Sequence, residues 1–235
     1  MRGLLKPLCL GAFLSLLVAA PPAVAVEGII MDWAPECYGW ETNYDPVTHT
    51  SAAGSQLTIV GKIDHFFEPF LDLDPVATEY TFIFKDLISD GSYSGGGVVI
   101  TTYSGGTFEI YEDPTNNFDF GIDPPNETSP STFVDGTLIL EGTLSGFYVQ
   151  TSVGPGGYHF GTYLADFEFT GPVGTEIHHR VEGCYGTTGG GWTDDAASGI
   201  PTGYNFDVDG HLSVEDCRPT GTDESSWGTI KSLFQ

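Results

Sequence analysis

The feature that most constrains the fold is an alternation of apolar and polar residues in short segments bounded by Gly, Pro, Asn and Asp. In residues 79–85, for example, Tyr80, Phe82 and Phe84 fall on one side of an extended chain. Alternation with period two, in segments rich in aromatic and β-branched residues, predicts β-strands. The other apolar sets that share a side are Leu57, Ile59 and Ile63 in residues 56–63; Phe108 and Ile110; Leu138 and Leu140; Phe147 and Val149; Tyr158, Phe160, Thr162 and Leu164; and Phe167 and Phe169, after a predicted bulge near Ala165-Asp166.

Helices are disfavoured along most of the chain. The 32 glycines and 15 prolines interrupt almost every window of ten residues, and both residue types destabilise a helix interior. Strands without intervening helices favour antiparallel pairing, because parallel strands need long, usually helical, crossovers. A content of 40% hydrophobic and 17% charged residues is that of a globular domain. The sequence therefore predicts one all-β domain over residues 26–218, an antiparallel β-sandwich or jelly-roll-like fold, with a Pro-rich loop over 113–131 that crosses an end of the sandwich.

The N-terminus has the organisation of an export signal. Arg2 and Lys6 give a positively charged start, residues 8–20 form an apolar run, and Ala23-Val24-Ala25 is a small-x-small cleavage site. The run is shorter than the roughly 20 residues needed to cross a bilayer. We therefore expect a signal peptide over residues 1–25 and a secreted mature chain with no transmembrane anchor.

The charge of the chain limits its partners. A formal net charge of −25 repels phosphates and excludes an ordinary nucleic-acid-binding protein. Excess acid outside the cell is typical of ion binding or of high solubility, and composition does not separate the two.

Three cysteines remain after cleavage, so the mature chain can form at most one internal disulfide. We predict Cys184–Cys217, because both lie in the loop-rich C-terminal third. The alternative is Cys37–Cys184, because the sequences around these two residues, Glu-Cys-Tyr-Gly and Gly-Cys-Tyr-Gly, resemble each other. The absence of a Cys-x-x-Cys pair argues against a cysteine zinc site.

A candidate calcium loop covers residues 205–216. Asn205, Asp207, Asp209 and Asp216 stand at loop positions 1, 3, 5 and 12, with Gly at position 6, as in loops that bind Ca²⁺ through alternate oxygen ligands. The favoured interpretation of the same residues is a hairpin with strands 203–208 and 211–215 and a turn at Asp209-Gly210. Further acids that suit a calcium site in a sandwich loop are Asp72, Asp74, Asp119 and Asp123.

The C-terminal residues 219–235 are predicted to be a linker and a short tail. The tail residues, which fit two helical turns that pack on the domain or serve as a recognition tag, are Trp227, Gly228, Ile230, Lys231, Leu233 and Phe234. The Trp-Gly-x-Ile-Lys-x-Leu-Phe ending resembles a tail found on exported bacterial proteins. Residues 106–114 and 133–138 resemble exported β-sandwich proteins of the PEP-CTERM-associated type, although the sorting signal itself is missing. The resemblance implies an extracellular or cell-surface location in a bacterium.

Three functions compete at this point. The first is a non-catalytic role, structural or interacting with components of the cell surface. The second is a carbohydrate-binding module, in which aromatic residues from Gly-rich stretches stack on sugar rings; the candidates are Trp40, Tyr185, Trp192 and Tyr204. The third is a secreted glycan-active hydrolase with an acid pair. No hydrolase or phosphate-loop motif is present in the sequence, and the six histidines are interpreted as ordinary residues, with His178 and His179 predicted on opposite faces of a strand.

Overall fold

The computed structural model describes residues 28–120, 131–154, 159–194 and 199–217. Within these ranges the chain is nearly all strand, which confirms the all-β prediction. The strands are β1 (Gly28–Trp33), β2 (Cys37–Glu41), β3 (Tyr44–Asp45), β4 (Thr50–Ser51), β5 (Gln56–Phe66), β6 (Glu79–Gly95), β7 (Val98–Asp113), β8 (Thr137–Val153), β9 (His159–Gly171), β10 (Cys184–Thr193), β11 (Phe206–Val208) and β12 (His211–Cys217). The helical elements are a 3-10 turn (Ser131–Phe133) and a one-turn helix, α1 (Glu176–His179).

Ten of these strands form one antiparallel sheet that closes on itself. Strands β5 to β10 follow one another as a meander, and β10 also reaches β5 through two short pairs: β12 with β1, and β11 with β2. The hydrogen bonding therefore differs from the two separately paired layers of a sandwich. The long strands β6 and β8 carry bulges, at Asp90 in β6 and at Ile139 and between Ser145 and Tyr148 in β8, and such bulges bend strands and help a sheet to close.

The interior of this closed cylinder is an aromatic core. Tyr80, Phe82 and Phe84 are buried there as the alternation predicted. In β9 the predicted face is right for Phe167 and Phe169, which are buried. It is wrong for Phe160 and Leu164, which are 54% and 40% exposed, because Tyr163 and Ala165 are the inward residues in that half of the strand. The bulge expected in β9 lies instead in β8, where the register shifts between Ser145 and Tyr148. Inward and outward residues therefore alternate without interruption along the whole of β9.

The predicted disulfide is confirmed. Cys184 and Cys217 are directly opposed in the β10–β12 ladder and are covalently joined, which excludes the alternative pair with Cys37. Cys37 is a free, fully buried thiol, and burial raises its pKa, so it stays protonated and unreactive at neutral pH.

A second, smaller aromatic cluster covers part of the outer side of the sheet. Its buried members include Trp40, Tyr204 and Phe133, and Phe120 of the Pro-rich loop packs against Phe133 and Tyr204. The described parts of this loop therefore lie on the outer face of the sheet, where apolar side chains of β2, β5 and β6 would otherwise be exposed.

The predicted signal peptide (1–25) and the predicted linker and tail (219–235) lie outside the described residues. Among the residues that the structure does describe, no helix has the length and apolar character needed to cross a membrane.

Candidate functional site

The most unusual group of side chains lies at one end of the cylinder, called here the histidine end (Glu41, Tyr44, His49, His159 and Asp194). The short β3–β4 hairpin brings His49 to this end. Asp45 fixes the hairpin by accepting hydrogen bonds from the backbone N–H of Val47 at 2.8 Å and of Thr48 at 3.3 Å. His49 itself has a φ of 56°, a left-handed conformation that non-glycine residues rarely adopt and that is often found at functional sites.

Two further members of the group, His159 and Asp194, come from neighbouring strands. His159 is the first residue of β9, and Asp194 directly follows the last residue of β10. The β9–β10 ladder pairs Phe160 with Thr193, so the ladder itself holds His159 and Asp194 side by side. Three residues that are far apart in the chain thus meet at one point.

The geometry of this group is compact. The Nδ1 atom of His49 is 2.6 Å from Oδ2 of Asp194, and the rings of His49 and His159 stack with centroids 3.4 Å apart and planes 11° apart. One ligand atom from each of the three side chains lies within 4.8 Å of the other two. The Asp194 side chain is only 2% exposed.

Tyr44 completes the surroundings of Asp194. Its hydroxyl donates to Oδ2 of Asp194, the same oxygen that faces His49. Burial, together with the Asp194 carboxylate, raises the pKa of Tyr44, so its hydroxyl remains a hydrogen-bond donor at neutral pH. The phenol therefore holds the carboxylate in a fixed orientation.

Several buried polar atoms at this end have no hydrogen-bond partner among the described residues. They include Oδ1 of Asp194, Nδ1 of His159 and Oε1 of Glu41. A buried polar atom without a partner costs about 1–3 kcal/mol, and such atoms are rare in native proteins unless they bind water, an ion or a ligand. Their concentration around two imidazoles makes this end the candidate binding site.

A further layer of polar side chains lies beside the histidines. Ser51 Oγ donates to Oε2 of Glu41 at 2.6 Å, and Tyr103 OH donates to the same oxygen at 3.1 Å. Burial raises the pKa of Glu41, and these two hydrogen bonds partly oppose that effect. Ser51 and Tyr103 share a small pocket with Tyr44, His49 and Asp194, and its apolar wall includes Val99, Val149, Trp192 and Phe206.

The four aromatic residues predicted to bind glycans are not brought together on the surface. Trp40, Trp192 and Tyr204 are 4%, 4% and 7% exposed, and only Tyr185, at 36%, reaches solvent. Trp192 packs on Phe206 in the core, with ring centroids 4.4 Å apart. The platform prediction is therefore wrong for three of the four residues, because their Gly-rich segments are strands and strand borders rather than exposed loops.

The prediction for residues 205–216 also needs correction. Strands β11 and β12 do not pair with each other; they follow one another in line, and each pairs with β10 and with the β1–β2 segment. Asp209-Gly210 is therefore a break between collinear strands and not a hairpin turn. Asn205 Oδ1 accepts the Glu41 N–H at 2.8 Å, while Asp207 and Asp209 lie along an extended chain. The convergent loop that calcium binding requires is not formed; the side chain of Asp216 lies outside the described set.

The remaining sequence candidates have structural partners of their own. Asp72 forms an ion pair with Arg180, and Asp74 caps a turn by accepting the Val76 N–H at 2.9 Å. Asp119 lies within the described part of the Pro-rich loop, where its N–H donates to Thr132 Oγ1 at 3.1 Å, and Asp123 lies outside the described residues. His178 and His179 occupy helix α1 rather than a strand; His178 is buried, and His179 pairs with Glu182.

Sequence reasoning missed His49, His159 and Asp194, the residues on which the site depends. They are separated by 110 and 35 positions along the chain, so no local motif connects them. The left-handed turn at His49 has a local signal, Asp45 followed by Pro and two Thr, but the contact with β9 and β10 depends on closure of the sheet. No protein-family model, curated protein or solved structure matches the chain, so its function has to be inferred from the geometry of this site.

Proposed function

We propose that this chain is an exported protein that binds one divalent transition-metal ion through His49, His159 and Asp194. The observation that carries the proposal is the convergence of these three side chains around buried polar atoms that have no partner among the described residues. Metal coordination supplies the partner that these atoms lack.

The donor set indicates the class of metal. Two imidazoles and one carboxylate suit Zn²⁺, Cu²⁺, Ni²⁺ and Fe²⁺, whereas Ca²⁺ prefers six or more oxygens. Three protein ligands also leave a coordination position for water or for a small ligand. The ion that this end of the cylinder selects is therefore of the zinc type rather than calcium.

Binding requires the side chains to move, but the donor atoms already lie close together. Donor atoms around a tetrahedral zinc ion lie about 3.3–3.5 Å from one another, because each bond is about 2.0–2.1 Å long, and the three donor atoms already lie within 4.8 Å. The stacked rings of His49 and His159 must splay, since a ligating lone pair lies in the plane of its ring. Tyr44 keeps its hydrogen bond to Asp194 and orients this carboxylate without binding the ion itself.

The cellular setting that we propose is outside the cytoplasm. The predicted signal peptide and the Cys184–Cys217 disulfide support export, because disulfides persist in oxidising compartments. In that setting we propose a non-catalytic role in which the chain binds a metal ion and interacts at the cell surface.

The direct test is a calorimetric titration of the purified mature chain with Zn²⁺. We expect one equivalent to bind to the wild type, and the variants His159→Ala and Asp194→Asn to weaken binding by 100-fold or more, since each removes a ligand. His179→Ala is the matched control, because His179 is an exposed imidazole beside a carboxylate, 3.1 Å from Glu182, and its loss should leave binding unchanged. Equal Zn²⁺ affinity in all four proteins, or binding of Ca²⁺ in preference to Zn²⁺, would refute the proposal.

A further inference from the structure

One part of the outer sheet surface carries no charged side chain. We name it the neutral face: it comprises fifteen outward positions, in three cross-strand rows over β6 to β10, and it begins next to the histidine end. The rows are Gly95, Val98, Ser152, Phe160 and Thr193; Tyr93, Ile100, Gln150, Thr162 and Gly191; and Gly91, Thr102, Tyr148, Leu164 and Gly189. Acids border it on two sides: Thr102 donates to Asp90 at 3.3 Å, and Asp207 of β11 lies directly opposite Thr193.

The same strands are acidic farther along their outer side. Asp166 and Glu168 of β9 lie next to Glu215 of β12, and Glu109 and Glu141 face each other on β7 and β8. In a chain with 32 acids and 7 bases, fifteen adjacent positions without a charge do not favour ionic recognition. A cation would be drawn to the acidic half, and an anion would be repelled by the field of the whole protein. The ligand that suits the neutral face is therefore uncharged.

The side chains of the neutral face combine aromatic rings with hydroxyl and amide groups. Tyr93 is 72% exposed and Phe160 is 54% exposed, and the exposed polar residues between them include Thr102, Gln150 and Thr162. A sugar ring has an apolar face that packs on an aromatic ring and a rim of hydroxyls that hydrogen-bonds to such polar groups. Tyr93 and Phe160 are three strands apart, about 14 Å along the sheet, so one ligand that touches both must be a chain of several sugars.

The size of the neutral face argues against a second copy of this protein as its occupant. Five strands at about 4.8 Å spacing and five residues at about 3.4 Å rise cover roughly 19 Å by 14 Å, on the order of 270 Å². A stable protein–protein interface buries about 800 Å² on each partner, and any enlargement would bring the acidic halves of two copies together. From charge, chemistry and area we infer that the neutral face binds an uncharged polysaccharide. This inference does not depend on the metal site.

The experiment is a co-sedimentation assay of the mature chain with four polysaccharides. Three are neutral, a β-1,4-glucan, an α-1,4-glucan and a β-1,3-glucan, and polygalacturonate serves as the anionic comparison. The variants are Tyr93→Ala/Phe160→Ala, which removes the aromatic rings, and Gln150→Glu, which adds one charge at the centre of the face without changing the shape of the side chain. Tyr185→Ala is the control, because Tyr185 is an exposed tyrosine on the acidic half of the same outer surface.

We expect the wild type and Tyr185→Ala to bind at least one neutral glucan and not polygalacturonate, and the double variant to lose tenfold or more in affinity. Gln150→Glu should also weaken binding, while the melting temperatures stay unchanged because the altered side chains are exposed. Three results would overturn the inference: binding of none of the neutral glucans, equal binding by wild type and double variant, or a concentration-dependent dimer in sedimentation velocity that Gln150→Glu abolishes. The last result would assign the face to a second copy.

Discussion

The two ends of the cylinder differ in how completely their buried acids are hydrogen-bonded. At the end where β6 begins, Glu79 and Asp113 are paired across β6 and β7 and are fully or almost fully buried. Both Glu79 oxygens accept the Phe118 N–H at 3.1 Å, and Asp113 accepts the N–H and the hydroxyl of Thr115. At the histidine end, Asp194, His159 and Glu41 each keep a buried polar atom without a partner among the described residues.

This difference indicates that a structural acid can be distinguished from a functional one by whether its oxygens are hydrogen-bonded. A carboxylate that fixes a loop is satisfied by the loop that it fixes, and it contributes to folding. A carboxylate that binds a ligand must keep an oxygen available, and it does so at a cost in stability. The first end, called here the satisfied end (Glu79 and Asp113), is accordingly expected to control the stability of the fold, and the histidine end to control its response to metal.

The largest effect that we predict is at the satisfied end. Glu79→Ala should lower the free energy of unfolding by about 2–3 kcal/mol, because it leaves the Phe118 N–H without its acceptor and removes buried contacts. Urea denaturation without added metal measures this change. Asp194→Asn should change stability by less than about 1 kcal/mol under the same conditions, and a larger loss for Asp194→Asn than for Glu79→Ala would reverse the comparison.

The response to metal should show the reverse pattern. Zinc at 100 times its Kd should stabilise the wild type by about 2.7 kcal/mol. Glu79→Gln should retain this gain, because Glu79 lies at the opposite end of β6 from the histidines, and Asp194→Asn should lose it. Melting curves with zinc and with a chelator measure the difference. A zinc response in Asp194→Asn as large as in the wild type would contradict the assignment of Asp194 as a ligand.

The pH dependence of stability should carry a contribution from Glu41. Its pKa in the folded chain is raised above the ordinary value of 4.5, first of all by burial, so the folded state binds a proton more tightly than the unfolded state does. This contribution is fully present below about pH 4.5 and is lost as pH rises through the raised pKa. Compared with the wild type, Glu41→Gln should therefore lose less stability between pH 4.5 and neutrality, as measured by urea denaturation at a series of pH values. Parallel curves for the two proteins would show that Glu41 titrates normally.

The smallest predicted effect concerns Tyr44. Tyr44→Phe removes the hydroxyl that orients Asp194 but none of the three ligands, so zinc affinity should fall by about tenfold, as is usual when a residue that hydrogen-bonds to a metal ligand is lost. Calorimetry compares this variant with the wild type. An affinity loss as large as that of Asp194→Asn would mean that the phenol oxygen is itself a ligand.

Much of the fold could be predicted from the sequence because burial follows period two. The inward residues of β6 and the Cys184–Cys217 disulfide were predicted correctly. In the first half of β9 the inward residues were predicted wrongly, because the extra residue that resets the register belongs to the neighbouring strand β8, and a sequence does not show which strand of a pair carries a bulge. The pattern also does not distinguish two packed layers from one closed sheet, since both bury alternate side chains.

The glycines of β10 are the reason that the environment of Trp192 was predicted wrongly. Gly-rich sequence usually indicates a turn, but here Gly190 lies within a strand because the backbone of the β11–β12 break passes close to it. A Cβ atom on Gly190 would lie 1.9 Å from the carbonyl oxygen of Asp209. The metal site was beyond prediction for a related reason: His49, His159 and Asp194 become neighbours only through the strand order that closes the sheet.

The central claim is that two imidazoles and one carboxylate coordinate a single metal ion, and X-ray absorption at the zinc edge tests it most directly. The zinc-loaded chain should show two imidazole nitrogens at about 2.0–2.1 Å, with their characteristic multiple scattering, and a carboxylate oxygen at about 2.0–2.2 Å. The double variant His49→Ala/His159→Ala should lose the imidazole signal. A first shell made only of oxygen, or the same spectrum from wild type and double variant, would contradict the account.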